Sequence, residues 1–393
     1  MDYYAQLIIG FLLFWGIIFV IGQMEPFKRR GLEVRPFFFV FKVRNVNHFF
    51  DRFLKYRRTV NLMANIGVGA GAVLMGYAVW FFLDNLLKFS FSPSQFQEVT
   101  LVIPFVTLQT SLLLVYFFAS VPIILIVHEF AHAIVARYEG ISLKSGGIGL
   151  LAVLIAGFVE PDEKEFKAAK PRQRIRVLAA GSWSNVILAT LVAALLIFQP
   201  MFALWMPAQV RPAFYGPPSG VFITNFYSQA GLQSVGASVG DVLNSINGIP
   251  VLSLTDLNDM VLPVNATVSV GLSTGGTQKT VYVTTFPNPN NQSKGALGIY
   301  GETYYPPHLV VPIMPMWLYS FLLWLAYFSA IVGAFNMLPL FPFDGEGYAN
   351  ALIERFVPPK LAAYVRYSIN GFALLLFAGN LIATALKAGF RPL

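Results

Sequence analysis

The stretch Val127-His128-Glu129-Phe130-Ala131-His132-Ala133 decides how this chain is read. It ends an apolar run that begins after Glu98, so two imidazoles and a carboxylate stand at the end of a segment long enough to cross a bilayer. On a helix, side chains four residues apart share one face, and His-Glu-x-x-His brings both rings within reach of one metal ion with the carboxylate beside them. With four His and eleven Glu in 393 residues, random arrangement would give the pattern in about one chain in a thousand. Two unrelated core histidines are a poor alternative, because an ionisable group at membrane depth is costly unless it is paired or bound to metal. The chain has no Cys. Disulfides, iron–sulfur clusters, thiolate zinc sites and cysteine nucleophiles are therefore all excluded, and any metal must be held by His, Asp or Glu.

Working outward, 56% of residues are hydrophobic and only 12% charged, against roughly 25% charged in a typical soluble domain. About 20 apolar residues in a helix cross the hydrocarbon core. Six uncharged runs reach that length: 3–24, 60–83, 99–127 continuing through His128 to Ala136, 177–210, 309–343 and 367–386. The first lacks a basic leader and a small-residue cleavage pattern, so it is expected to be a retained span. The expected fold is a multi-pass α-helical membrane protein with about six transmembrane helices. The loop between the first two spans carries Lys28, Arg29, Arg30, Arg35, Lys42, Arg44, Arg52, Lys55, Arg57 and Arg58 against Glu25, Glu33 and Asp51, which assigns it to the cytoplasm. Alternation then puts the N-terminus outside, 138–176 with its second basic cluster (Lys164 to Arg176) inside, and 205–310 outside. The formal charge of +8 thus belongs to topology and to anionic lipid rather than to nucleic acid.

The outer segment has a different texture. From Gly220 to Tyr300, short alternating runs such as Val221-Phe222-Ile223 and Val281-Tyr282-Val283 are separated by Gly, Asn, Ser and Pro, the pattern of a small β-rich domain inserted between two spans. Zinc hydrolases generally use three protein ligands and a water, so a third ligand is needed at similar depth. Arg137, nine residues after His128, marks the cytoplasmic interface and sets the metal roughly 8 to 14 Å below it. Asp344 ends the fifth run in Asn336-Met337-Leu338-Pro339-Leu340-Phe341-Pro342-Phe343-Asp344-Gly345. Pro339 and Pro342 break that helix, and irregular backbone at membrane depth is tolerated where it is buried in protein or lines a watery cavity. Glu160, at the end of the apolar run from Gly146, is the second candidate.

These motifs resemble the site-2 protease family of intramembrane zinc metalloproteases, over about residues 111–350. The stretch Ala230-Gly231-Leu232, with Gly240-Asp241-Val242-Leu243 and Ile246-Asn247-Gly248-Ile249-Pro250-Val251, is similar to PDZ domains of membrane and envelope proteases. The resemblance implies that His128, His132 and Asp344 bind one Zn2+ per chain and that Glu129 is the general base. Through Gly181-Ser182-Trp183-Ser184-Asn185 and the Asn-x-x-Pro motif, it also implies that Asn185 and Asn336 lie near the substrate backbone or its oxyanion. Gly146 to Val159 looks like the family's membrane-associated hairpin, whose edge would pair with an extended substrate.

The expected organisation is 1–110, two spans and a basic loop; 111–204, the first part of the metalloprotease core; 205–310, the PDZ-like extracytoplasmic domain; 311–350, the second part of the core; and 351–393, an amphipathic segment and the last span. The implied activity is cleavage of transmembrane segments of single-span substrates already cut by another protease, in a cell membrane, with the active site near the cytoplasmic side. The inserted domain would serve as a size filter or receive a newly made C-terminus, and no carboxylate-binding loop is recognisable before Val221-Phe222-Ile223. Two other classes stay open. A metal transporter would need charged or polar residues along several spans, and spans one, two and six have none with charge. A non-catalytic PDZ scaffold would have no need of Glu129.

Overall fold

The computed structural model describes residues 3–388 except 30, 101, 103–107, 109, 152 and 153. The chain forms two compact units, Met1–Val192 with Leu323–Leu393, and Ala193–Leu322. The main helices are α1 (Tyr3–Gln23), α2 (Arg57–Phe91), α3 (Ser111–Tyr138), α4 (Pro171–Leu196), α5 (Met316–Phe335), α6 (Asp344–Phe356) and α7 (Pro359–Ala388). Five of them, α2 to α5 and α7, are long and apolar enough to cross a membrane, where the sequence suggests about six. For α1, the apolar helix among the described residues is the shorter Ile9–Gln23. Large apolar side chains such as Leu13, Val73, Leu195 and Leu375 are exposed on these helices, as lipid-facing surfaces require.

Prolines explain why two apolar runs outlast their helices. The run 177–210 leaves the helix at Leu196 and turns into a 3-10 segment at Pro200. The run 309–343 holds only twenty helical residues, between Pro312 and Pro315 on one side and Pro339 and Pro342 on the other, since proline lacks the N–H that continues a helix.

The stretch that resembles the family's hairpin forms β3 (Leu143–Leu151) and β4 (Leu154–Pro161), which pair antiparallel. The basic N-terminal loop adds β1 (Leu32–Arg35) and β2 (Phe38–Arg44), giving one four-stranded sheet in the order β1-β2-β3-β4. Pairing runs from Phe38↔Leu151 to Arg44↔Ser145. Gly147 permits this close approach, because a Cβ there would strike the Phe41 carbonyl oxygen and the Phe158 ring. Trp15 of α1 is buried with Phe37 and Phe39 around its ring. Among the described residues β4 is the end strand, and it lies on α3, where a Cβ on Gly157 would be 3.1 Å from Ile126.

The second unit holds β5 (Val221–Phe226), β6 (Val242–Ile246), β7 (Ile249–Pro250), β8 (Thr267–Thr274), β9 (Thr277–Thr284), β10 (Phe286–Asn288), β11 (Asn291–Ala296) and β12 (Ile299–Thr303). Its sheet runs β12-β5-β6-β8-β9, with β7 on β6. Inward positions along these strands (Val221, Ile223, Leu243, Ile246, Val268, Val270, Leu272) form one core with Leu232 and Val251. The short helix Leu254–Asp259 starts at a capping box formed by Ser253 and Asp256. Gln199 binds the backbone of Pro312 and Met314 through its two amide ends, and the Tyr215 hydroxyl donates to the carbonyls of Ile197 and Gln199. The two ends of the insert are thereby pinned to each other.

Back in the first unit, the broken segment after α5 is anchored by its leucines. Leu338 and Leu340 pack with Ala78 and Phe82 of α2 and Ala373 and Leu376 of α7. Met337 packs with Ala179 of α4 and Tyr348 of α6. Glu354, near the end of α6, binds Arg174 and Arg366, and the Arg174 guanidinium holds its carboxyl below the usual range.

The β2–β3 register can be checked directly because no native Cys interferes. Phe39→Cys with Leu150→Cys, which are direct partners, should form a disulfide under mild oxidation. Phe39→Cys with Ile155→Cys, two strands apart at roughly 10 Å, should not.

Candidate metal centre

α3 presents His128 and His132 on one face, and α6 begins at Asp344, the carboxylate delivered by the broken segment. The three converge. His128 Nε2 and His132 Nε2 each lie 3.0 Å from Asp344 Oδ2 and 3.0 Å from each other. Among the described residues this is the one group of three or more potential ligands placed to hold a metal ion. His128 is buried, and His132 and Asp344 are largely so.

The donor set fits a divalent cation. A tetrahedral shell with bonds of about 2.0 to 2.1 Å holds its donors roughly 3.3 Å apart, close to the separation found. The His132 Nδ1–H donates to the Val177 carbonyl oxygen at 2.7 Å, which leaves the Nε2 lone pair turned inward; such a partner fixes the ligand tautomer. Three lone-pair donors facing one another inside an apolar bundle would repel without a positive charge between them. Space for the rings comes from Gly181 on α4, where a Cβ would collide with Nε2 of both histidines.

The loop that carries Asp344 closes on itself. Gly345 N–H donates to the Asn336 carbonyl at 2.9 Å, and a Cβ on Gly345 would overlap the Met337 carbonyl. The Asn336 amide nitrogen lies 2.7 Å from Asp344 Oδ2 and 3.1 Å from His128 Nε2. Asn185, wholly buried on α4, has its amide nitrogen 3.1 Å from His128 Nδ1. The Glu129 carboxylate accepts from the Val159 N–H of β4 at 3.1 Å. Glu160, the alternative third ligand, lies outside this group: its carboxylate accepts from the Ser145 hydroxyl at 2.8 Å and pairs with Lys144.

Sequence reasoning missed two features. One is the role of α2: Gly71 lets α2 approach to where a Cβ would be 3.1 Å from Ala179 and 3.2 Å from Met337 and Tyr348, and the Tyr348 hydroxyl donates to the Val68 carbonyl. Small residues at helix contacts are the available signal. The other is a groove of about 350 Å³ in the second unit, lined by Leu257 of the short helix, by Met260 just after it and by the stretch 296–300, with Tyr227 and Lys294 also lining it. Among the described residues β12, which borders it, is an end strand of the sheet. The turn before it, Leu297-Gly298, follows the other strands in sequence, so a search ahead of Val221 does not find it.

A membrane-embedded helical bundle with a His-Glu-x-x-His helix and a distant aspartate gathered into one metal-binding group defines a membrane metalloprotease by class. The chain belongs to peptidase family M50, whose family model matches residues 116–378, the family of the site-2 proteases. Among curated proteins it is 28% identical over 230 residues to an uncharacterized protein of Methanocaldococcus jannaschii, covering 58% of this chain and 54% of that one. It is 27% identical over 136 residues to a membrane-bound transcription factor site-2 protease homolog of Arabidopsis thaliana, covering 35% and 25%. The chain therefore spans about half of the first relative and a quarter of the second. Among solved structures, the PDZ domain of an SdrC-like protein from Listeria monocytogenes matches 21% of this chain and 87% of its own, at 16% identity and a TM-score of 0.19, a likeness too slight to carry an argument.

Two substitutions test the centre. Asp344→Ala should reduce bound zinc, measured by elemental analysis of purified protein, from about one ion per chain to a small fraction, because a two-ligand site loses most of its affinity. Gly181→Ala should do the same with every ligand intact, since the new methyl group occupies the place of the imidazole nitrogens.

Proposed function

We propose that this chain is a zinc-dependent intramembrane endopeptidase that cuts transmembrane segments of membrane-anchored proteins. The observation that carries the reading is the convergence of His128, His132 and Asp344 with Glu129 on the same helix, the base being bonded to β4, the end strand of its sheet among the described residues. When bound, zinc acts as a Lewis acid and lowers the pKa of water to about 7. Glu129 accepts the proton of the attacking water and returns it to the departing amine nitrogen. Asn336, whose amide reaches the ligand cluster, is suited to donate to the developing oxyanion.

A transmembrane substrate hides its carbonyls in helical hydrogen bonds, so a few residues must unwind before attack, and unwound backbone in lipid needs new partners. The outer side of β4, the end strand of its sheet among the described residues, is suited to supply them. The Val159 N–H points away from β3, toward Glu129, and alternation along the strand turns the backbone groups of Gly157 and Ile155 the same way. A substrate strand added there would run beside the base.

The positive-inside reading puts the second unit outside the cell, with the N-terminus. Its groove supports the second of the two roles the sequence left open. Its lining combines Leu257, Met260 and Leu262 with the cationic Lys294 beside β12, the end strand among the described residues, which suits an extended peptide ending in a carboxylate. Such an end is what a first cut on the outer side would create. On this reading the substrates are single-span proteins trimmed by another protease.

The test is cleavage of single-span substrates by detergent-purified protein. Glu129→Gln should keep its zinc and lose activity by about 10² to 10⁴-fold, while equal cleavage by both forms would remove proteolysis from this site.

A further inference from the structure

The two imidazoles of the centre are held from behind by different partners. Val177 offers His132 a carbonyl oxygen, which only accepts, so the proton on Nδ1 and the inward lone pair on Nε2 follow from chemistry alone. Behind His128 stands the Asn185 amide, which has a donor end and an acceptor end. With the nitrogen end turned to Nδ1, at 3.1 Å, the imidazole proton is driven onto Nε2, the atom 3.0 Å from both Asp344 Oδ2 and His132 Nε2. A protonated Nε2 cannot bind metal. With the oxygen end turned to Nδ1, the ring proton sits on Nδ1 and Nε2 is free as a ligand. The two ends are nearly identical in shape and the hydrogen-bond network chooses between them. On its other side the amide oxygen has no partner among the described residues, so none of them opposes the choice that His128 requires.

We propose that Asn185 is a positioning residue for His128, with Oδ1 accepting the Nδ1–H when metal is held, and that it does not contact substrate. The inference rests on the metal-dependent reading above. Three further observations bear on it. Asn185 is completely buried, whereas a group that meets substrate must be reachable. Its backbone carbonyl accepts from the Ser329 hydroxyl at 2.8 Å, which ties this turn of α4 to α5 and fixes where the amide stands. It also lies four residues from Gly181 on the same helical face, so one stripe of α4 gives the rings their space and His128 its orientation. Asn336 is placed differently: it reaches Asp344 Oδ2 and His128 Nε2 on the metal side and is partly exposed. The two asparagines that sequence reasoning pairs as substrate contacts thus divide into one that serves a ligand and one that faces the reaction.

The experiment measures zinc affinity of the full-length protein in detergent by competition with a chromophoric chelator, alongside cleavage. Asn185→Leu and Asn185→Ala remove the acceptor, the second without added bulk, and each should weaken zinc binding by about 10 to 100-fold, as loss of a partner behind a ligand does. Asn185→Asp keeps an acceptor in the same place and should bind zinc within a few-fold of wild type. Circular dichroism and gel filtration establish that each variant is folded. Wild-type zinc affinity in Asn185→Ala with cleavage lost would overturn the proposal and return Asn185 to the substrate. Equal zinc loss in Asn185→Asp and Asn185→Ala would overturn it in favour of packing. Failure of the wild-type protein to bind zinc would instead defeat the metalloprotease reading itself.

Discussion

Two imidazoles and a carboxylate cannot lie together among apolar helices unless something compensates their polarity, and this constraint organises the first unit. His128, His132 and Asp344 come from segments more than 200 residues apart, yet their donor atoms meet within 3.0 Å. Each ionisable group in lipid would cost several kcal/mol alone. Gathered round a cation, they become a ligand set, and the surrounding elements can be understood as what holds them there.

That holding is distributed. α3 supplies the two rings in one turn, and α4 supplies the gap at Gly181, the carbonyl of Val177 and the amide of Asn185. The aspartate is harder to deliver, since it must leave a helix, enter the bundle and stop. Two prolines end α5, the buried Leu338 and Leu340 lock the segment onto α2 and α7, and Gly345 allows the chain to fold back on Asn336. The outer spans, which carry no chemistry of their own, therefore determine where the third ligand stands. The sheet has a comparable division of labour. β1 and β2 cover one side of the hairpin, and among the described residues β4 ends the sheet, next to the base that it holds through Val159.

Much of this was legible in the residues. The His-Glu-x-x-His spacing and the Pro-broken run ending at Asp344 carry the site because so few other polar groups occupy the spans. The hairpin was expected from the resemblance of its Gly-rich run to the family's, and the insert from its alternating short runs. The rest was not legible, for physical reasons. The β1–β2 addition is a long-range pairing from a loop whose basic residues speak of topology, not strand formation, and edge pairing leaves little local signal. The anchoring of Leu338 and Leu340 depends on which helices meet, and apolar residues in a bundle look alike in sequence. The groove beside β12 was hidden because its turn follows the strands it serves. For Asn185 and Asn336, sequence gives the residue type but not the side of the imidazole each one faces.

The central claim is that one divalent ion is held jointly by α3 and the start of α6. Zinc X-ray absorption spectroscopy of the purified, zinc-loaded protein addresses it most directly. The account predicts two imidazole nitrogens and oxygen ligands at about 2.0 to 2.2 Å, with the oxygen contribution altered in Asp344→Ala. A shell with fewer than two imidazoles, or one that Asp344→Ala leaves unchanged, would contradict it.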